Sequence, residues 1–146
     1  MNAPRRFVLL LALAAPGLVL AQAGSPAGVW TTINDKTGKP EGRVHIEERD
    51  GEYVGTVLAV LSQTDPHPTC DRCKGELKGR PVVGMTILQG LRRSGDAFTG
   101  GSLLDPDDGE TYRCNAALVD AGSRLELRGY IGISLFGRTQ TWVRER

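Results

Sequence analysis

From Gly28 almost to the last residue, apolar side chains recur at every second position in eight runs, and turn-forming residues break each run before it reaches helical length. Alternation with period two marks a strand buried on one face. The runs are 28–33, 43–48, 53–61, 82–91, 97–104, 110–119, 124–132 and 136–144. The breaks carry hairpin chemistry: Asp50-Gly51 in "RDGE", then "RRSGD", "DPDDG" and "DAGS". Successive strands with short connections pair with their neighbours. Eight of them predict an all-β fold, an up-and-down antiparallel barrel, because closure removes exposed sheet edges. A two-sheet sandwich is the alternative. Glycines inside the runs, among them Gly55, Gly90, Gly100, Gly101 and Gly129, favour the barrel, whose coiled strands need bends.

The chain ahead of the first run has a different character. Arg5 and Arg6 precede an apolar stretch of 14 residues, 7–20, and Ala21-Gln22-Ala23 follows as an A-x-A cleavage pattern. This predicts a signal peptide over 1–23 and a single domain over 24–146, periplasmic or secreted. The stretch is shorter than the ~20 residues that span a bilayer, so no membrane span is expected after cleavage. No cysteine follows it, which excludes a lipoprotein. Loss of Arg5 and Arg6 leaves 16 Lys+Arg against 17 Asp+Glu. A near-neutral chain without a basic block has no electrostatic footprint for nucleic acid or for an anionic membrane surface.

The two ends of the barrel domain carry Gly28-Val29-Trp30 and "GRTQTWVRER", in which Arg138 and Trp142 share one face of a strand. The first and last strands of a closed barrel are neighbours. Trp30 and Trp142 are therefore expected at the barrel floor, with Arg138 lying across the Trp30 ring, a contact worth about 0.5–2 kcal/mol. This pattern resembles the lipocalin and avidin-like superfamily. A longer resemblance accompanies it. Gly28-x-Trp30, "TCDRCKGELKGRPVVGM" from Thr69, "GGSLLDPDDGETYRC" from Gly100 and "LRGYIGISLFGRTQTW" from Leu127 are together similar to the secreted bacterial family called domain of unknown function 2147. The resemblance implies an exported, lipocalin-like β-barrel. It implies no activity, since none is established for the family.

The longest interruption, "PHPTCDRCKGELKGRP", holds Cys70 and Cys73. Three chemistries compete. A disulfide between them would order the loop, although closing so short a ring contributes only about 2 kcal/mol. A zinc half-site would need further ligands, and only His67, Asp71 or Cys114 is at hand. Thiol–disulfide catalysis normally places C-x-x-C at a helix N-terminus, whereas this run is bracketed by Pro66, Pro68 and Pro81. The disulfide is favoured. Cys114 shares a strand face with Tyr112, Ala116 and Leu118 and is expected to be a buried free thiol.

Catalytic groups are few. The only histidines are His45 and His67, and no G-x-S-x-G, phosphate loop or dinucleotide fingerprint occurs. "DPDDGETY" holds four acids but breaks the spacing of a calcium loop and reads as a hairpin turn. No catalytic residue, cofactor or metal is assigned. Eight-stranded barrels are either filled by side chains or hold one small ligand. Only 5% of residues are aromatic, which leaves room inside. The expected function is thus a non-enzymatic binding protein for a small, largely apolar ligand, gated by the Cys70/Cys73 loop. The alternative is an envelope protein–protein or stress-related scaffold with a packed barrel. Tyr53, Tyr112, Arg128 and Tyr130 are the candidate ligand or partner contacts, Arg128 and Tyr130 lying outward if Leu127 and Gly129 face in.

Overall fold

The computed structural model describes residues 24–61, 64–133, 135 and 137–146. The leader expected at 1–23, and Ser134 and Phe136, lie outside the described residues. Eight antiparallel strands close into one barrel in sequence order: β1 (Gly28–Ile33), β2 (Pro40–Arg49), β3 (Glu52–Val60), β4 (Thr86–Ser94), β5 (Ala97–Leu104), β6 (Thr111–Val119), β7 (Arg124–Tyr130) and β8 (Arg138–Arg144). The sandwich alternative is thereby overturned, since β1 pairs with β8 through Trp30↔Arg144 and Thr32↔Trp142. Among the described residues no helix is long and apolar enough to cross a membrane.

Alternation places one apolar set inside. Trp30, Val44, Ile46, Tyr53, Val57, Leu88, Leu91, Phe98, Leu125, Leu127 and Trp142 are all buried. In β4 and β5 the inward spacing lengthens from two to three, from Leu88 to Leu91 and from Phe98 to Gly101. Gly90 (φ 72°) and Gly100 (φ 76°) supply the extra residue. Only glycine takes that conformation without strain, and the added residue bends each strand. The same region departs from the predicted fourth strand, which begins at Thr86 rather than Val82. Residues 82–85 turn instead: Val82 N–H donates to Pro68 O, and Gly84 N–H donates to Val57 O.

One end of the barrel is shut. The segment 24–27 crosses it with Pro26 buried, and Trp30 Nε1 donates to Pro26 O at 2.8 Å. The cation over the Trp30 ring is Arg144, 4.2 Å from the centroid, and not Arg138. Arg144 also donates to Ser25 O, Ala27 O and Gly122 O at 2.6, 2.7 and 2.7 Å. Antiparallel closure explains the correction. The start of β1 meets the end of β8, so Trp30 faces Arg144, and Arg138 lies six residues away toward the opposite end. Trp142 does sit close to the floor, beside Thr32, one step inward from Trp30. Arg93 stacks on Phe98 at 5.0 Å and donates to Gly24 O, adding a second tie to the strap.

Arg138 instead bonds Asp35 through Nε–Oδ2 at 2.8 Å, with its side chain 59% exposed. An exposed pair of this kind contributes at most about 1 kcal/mol. Arg138→Ala is therefore expected to leave the melting temperature within about 5 °C of the parent. Arg144→Ala should lower it further, because three carbonyls and a ring face lose one partner. Thermal melts of the two variants check this ordering.

Candidate functional site

The connections β1–β2, β3–β4, β5–β6 and β7–β8 gather at the end opposite the floor and form the mouth. Directly opposed residues of antiparallel strands share a face. Arg138, Gln140 and Trp142 oppose Gly129, Leu127 and Leu125, so all three lie on the inward face of β8. Tyr112 opposes the buried Leu103 and joins them from β6. Between Tyr112 and Arg138 the inward position is Gly129. A Cβ built there would meet Tyr112 Cβ at 3.5 Å, an ordinary contact.

The two sides of the interior differ. Along β3–β5, side chains fill the space that glycines leave: a Cβ on Gly55 would come within 2.9 Å of Leu88 Cβ, near the mouth end of β4, and one on Gly101 within 2.7 Å of Leu91 Cγ. On the β6–β8 side of the mouth the inward face turns polar, with Tyr112, Gln140 and Arg138. Trp142 Nε1 donates to Gln140 Oε1 at 3.4 Å. Tyr112 donates its hydroxyl to Asp108, which with burial and the nearby carboxylates pushes the phenol up to about 12. Burial, the largest cause, also raises the Asp105 carboxyl, partly offset by a bond from Asp107 N–H and by Arg138.

The Cys loop packs on the mouth rim. Thr69 bridges to Pro81, Cys70 N–H donates to Arg80 O, and Gly79 N–H donates to Cys70 O, so 68–82 is a closed hairpin-like module. Cys70 and Cys73 form a disulfide, Cα–Cα 5.3 Å, buried with Val82 and Met85 in the main apolar cluster. The module docks on the β5–β6 turn. Arg72 donates to Asp107 O at 3.2 Å and Lys74 pairs with Glu110 at 2.6 Å. Gly109 fits against the Arg72 carbonyl with no room for a side chain.

The remaining candidates fall differently. His67 is exposed, its backbone N–H donates to Asp65, and among the described residues no group of three or more His, Cys, Asp or Glu could hold a metal ion. Tyr53 lies away from the mouth. It begins β3 beside the Asp50-Gly51 hairpin at the floor end, buried edge-on to Phe98 at 5.3 Å. Arg128 lies on the outward face of β7 and donates to Thr139 Oγ1 and Leu135 O, which ties it to the β7–β8 corner. Tyr130 borders the same corner, 3.0 Å from where a Cβ on Gly137 would lie. In that corner Ile131, Ile133 and Leu135 are 70%, 59% and 73% exposed.

Cys114 is a free cysteine, fully buried, and burial pushes its thiol from 9.0 up to about 12. In the folded protein at pH 8 it should resist an alkylating reagent that labels it quantitatively in denaturant. The sign of the stability effect follows. The unfolded chain deprotonates near the ordinary value and the folded one does not, so this contribution is full below pH 9 and is lost as pH rises toward 12. Alkylation mass shifts and alkaline melts read the two effects.

Eight up-and-down strands closed into one barrel, with Trp30 under Arg144 at its floor, give the chain a lipocalin-like fold. Protein HP1028 from the human pathogen Helicobacter pylori, described as belonging to the lipocalin family, superposes with a TM-score of 0.71 at 22% identity over 82% of each chain. No curated protein matches the chain. The family described as an uncharacterized protein conserved in bacteria, domain of unknown function 2147, matches residues 28–144, and the chain belongs to that family.

Proposed function

We propose that this protein is an exported, non-enzymatic carrier that holds a small, largely apolar molecule at the mouth end of its barrel, with the Cys70/Cys73 loop as its gate. The observation that carries the proposal is the two-part interior. Leu88 and Leu91 pack against Gly55 and Gly101 on the β3–β5 side, while on the β6–β8 side of the mouth Gly129 presents no side chain between Tyr112 and Arg138. Binding sites are commonly apolar with a few convergent polar groups. The polar set here suits the single polar end of an otherwise apolar ligand. The related lipocalin fold supports the reading at the level of architecture.

The test is native mass spectrometry of the protein from its own cells, without reductant, chelator or organic solvent. The wild type should begin at Gly24, two protons light, and carry an extra mass that organic solvent removes. Gly129→Leu, which fills the inward position without a Cβ clash, should lose at least about nine tenths of that mass, a cost of roughly 1.4 kcal/mol. A bare wild-type chain would sink the carrier reading, and a chain beginning at Met1 would sink export.

A second reading has its own observation. The exposed Ile131, Ile133 and Leu135 form an apolar corner beside the mouth, the kind of surface that marks a protein contact. A packed scaffold acting through an envelope partner predicts crosslinks at this corner that Ile133→Asp removes. No crosslinked partner in the native envelope would discard it.

A further inference from the structure

The Cys70–Cys73 disulfide meets its surroundings asymmetrically. Cys70 is 0% exposed, and its Sγ lies 3.4 Å from Pro106 O on the rim of the β5–β6 turn. A disulfide sulfur carries no proton, so in the oxidised protein this is a contact and not a hydrogen bond. Cys73 is also buried, at 2% exposure, yet it lines a cleft of about 300 Å³ between the loop and the turn, together with Lys74, Leu77, Leu104 and Glu110. Cys70 is not part of that lining. One residue of the pair borders a cavity, and the sulfur of the other has a carbonyl acceptor in place.

Thiol–disulfide exchange needs that division of roles. A thiolate attacks one sulfur, and the other departs and takes up a proton. We propose that Cys73 is a thiol-exchange site and that the cleft above it admits a small thiol. The incoming thiolate forms a bond to Cys73 Sγ as the Cys70–Cys73 bond breaks. Cys70 leaves as thiolate, takes a proton from water, and donates the resulting S–H to Pro106 O. A second thiol then attacks the adduct and releases the small disulfide and the Cys73 thiol. Two thiols are oxidised to one disulfide, and the protein disulfide is reduced by two electrons.

The protein is the substrate of this exchange and not its catalyst. Only a short 3-10 turn, Gly75–Leu77, follows the pair, so no helix N-terminus activates either thiol. The consequence is mechanical. The ring of residues 70–73 holds the Arg72 carbonyl against Gly109. Once the ring opens, the grip of the loop on the mouth turn loosens. This inference stands whether or not the barrel carries a ligand.

The folded full chain is incubated with glutathione as the probe thiol, quenched with an alkylating reagent and digested with trypsin. Cleavage after Arg72 places Cys70 and Cys73 on separate peptides. The glutathione adduct is expected on Cys73 in excess over Cys70 by on the order of tenfold, with Cys114 unlabelled. Cys70→Ser should still accept glutathione from its disulfide, whereas Cys73→Ser should not. Cys114 reports folding in every sample. Adducts on Cys70, equal adducts on both, no adduct, or adducts that appear only together with labelled Cys114 would each overturn the assignment.

Discussion

Trp30→Ala is expected to be the most damaging single truncation of this barrel. Trp30 is wholly buried, and it is joined to three things at once: its ring to Arg144, its Nε1 to Pro26 O, and its strand to both β2 and β8. Truncating a buried Trp typically costs about 3–5 kcal/mol. A domain of this size has only about 5–15 kcal/mol to lose, so the melting temperature should fall by roughly 10–20 °C. The strap should come loose as well. Arg144 would keep its carbonyl partners but lose the ring beneath it, and Pro26 would lose the donor that draws it inward. Trp30→Phe separates the contributions, since it keeps an aromatic face for Arg144 and deletes only the indole N–H and part of the volume. It should recover at least half of the loss. Thermal melts of both variants, with limited proteolysis at 24–27, decide the matter. A loss below about 1 kcal/mol for Trp30→Ala would mean that the floor is held by something other than this residue.

What the chain discloses before folding is its local periodicity, and what it withholds is register. β1 and β5 run over the predicted bounds, because alternation and the flanking turn residues are both written within a few positions of each other. The predicted fourth strand starts four residues early because Val82, Val83 and Met85 continue the apolar run; the Gly84 bend (φ 88°) and the Pro68 carbonyl that takes Val82 out of the ladder leave no trace in alternation. Arg138 and Arg144 differ by an even number, so both point inward, and parity cannot choose between them. The choice rests on β1–β8 closure, between residues more than a hundred positions apart. One signal was available. Strands joined at the barrel seam run antiparallel, so the end of β8 must meet the start of β1, where Trp30 stands. The docking of the Cys loop onto Gly109 had no such signal. "DPDDG" is fully accounted for as a turn, and nothing in its composition says that another backbone rests on its glycine. Likewise alternation along β3 does not separate a contact role for Tyr53 from a core one; its burial beside the floor hairpin, edge-on to Phe98, places it in the core.

Gly109→Ala should detach that loop while leaving the barrel standing. A Cβ at this position would lie 2.1 Å from Arg72 O, 2.3 Å from Arg72 C and 2.7 Å from Cys73 N. All three are backbone atoms, so no rotamer change relieves the overlap, and either the turn or the loop must move. Gly109 also has φ +74°, where a side chain costs about 1–2 kcal/mol by itself. Gly38 is the control. It has nearly the same conformation, φ +69°, in the β1–β2 turn, and nothing lies within 4 Å of its Cβ position. Gly38→Ala therefore carries the conformational cost alone, and the difference between the two variants isolates the contact. The turn is held by its own bond, Gly109 N–H to Asp105 O at 2.8 Å, and by the strands on either side, whereas the loop reaches it mainly through Arg72 and an exposed Lys74–Glu110 pair. The loop should be the part that yields. Amides of Cys70, Gly79 and Val82 are expected to exchange with solvent about thirtyfold faster, a local loss of roughly 2 kcal/mol. Those of β1, β7 and β8 should keep the parent rate. If Gly109→Ala and Gly38→Ala cost the same and the loop amides stay protected in both, the loop is not held at Gly109, and its grip on the mouth must lie in the apolar contacts of Val82 and Met85 instead.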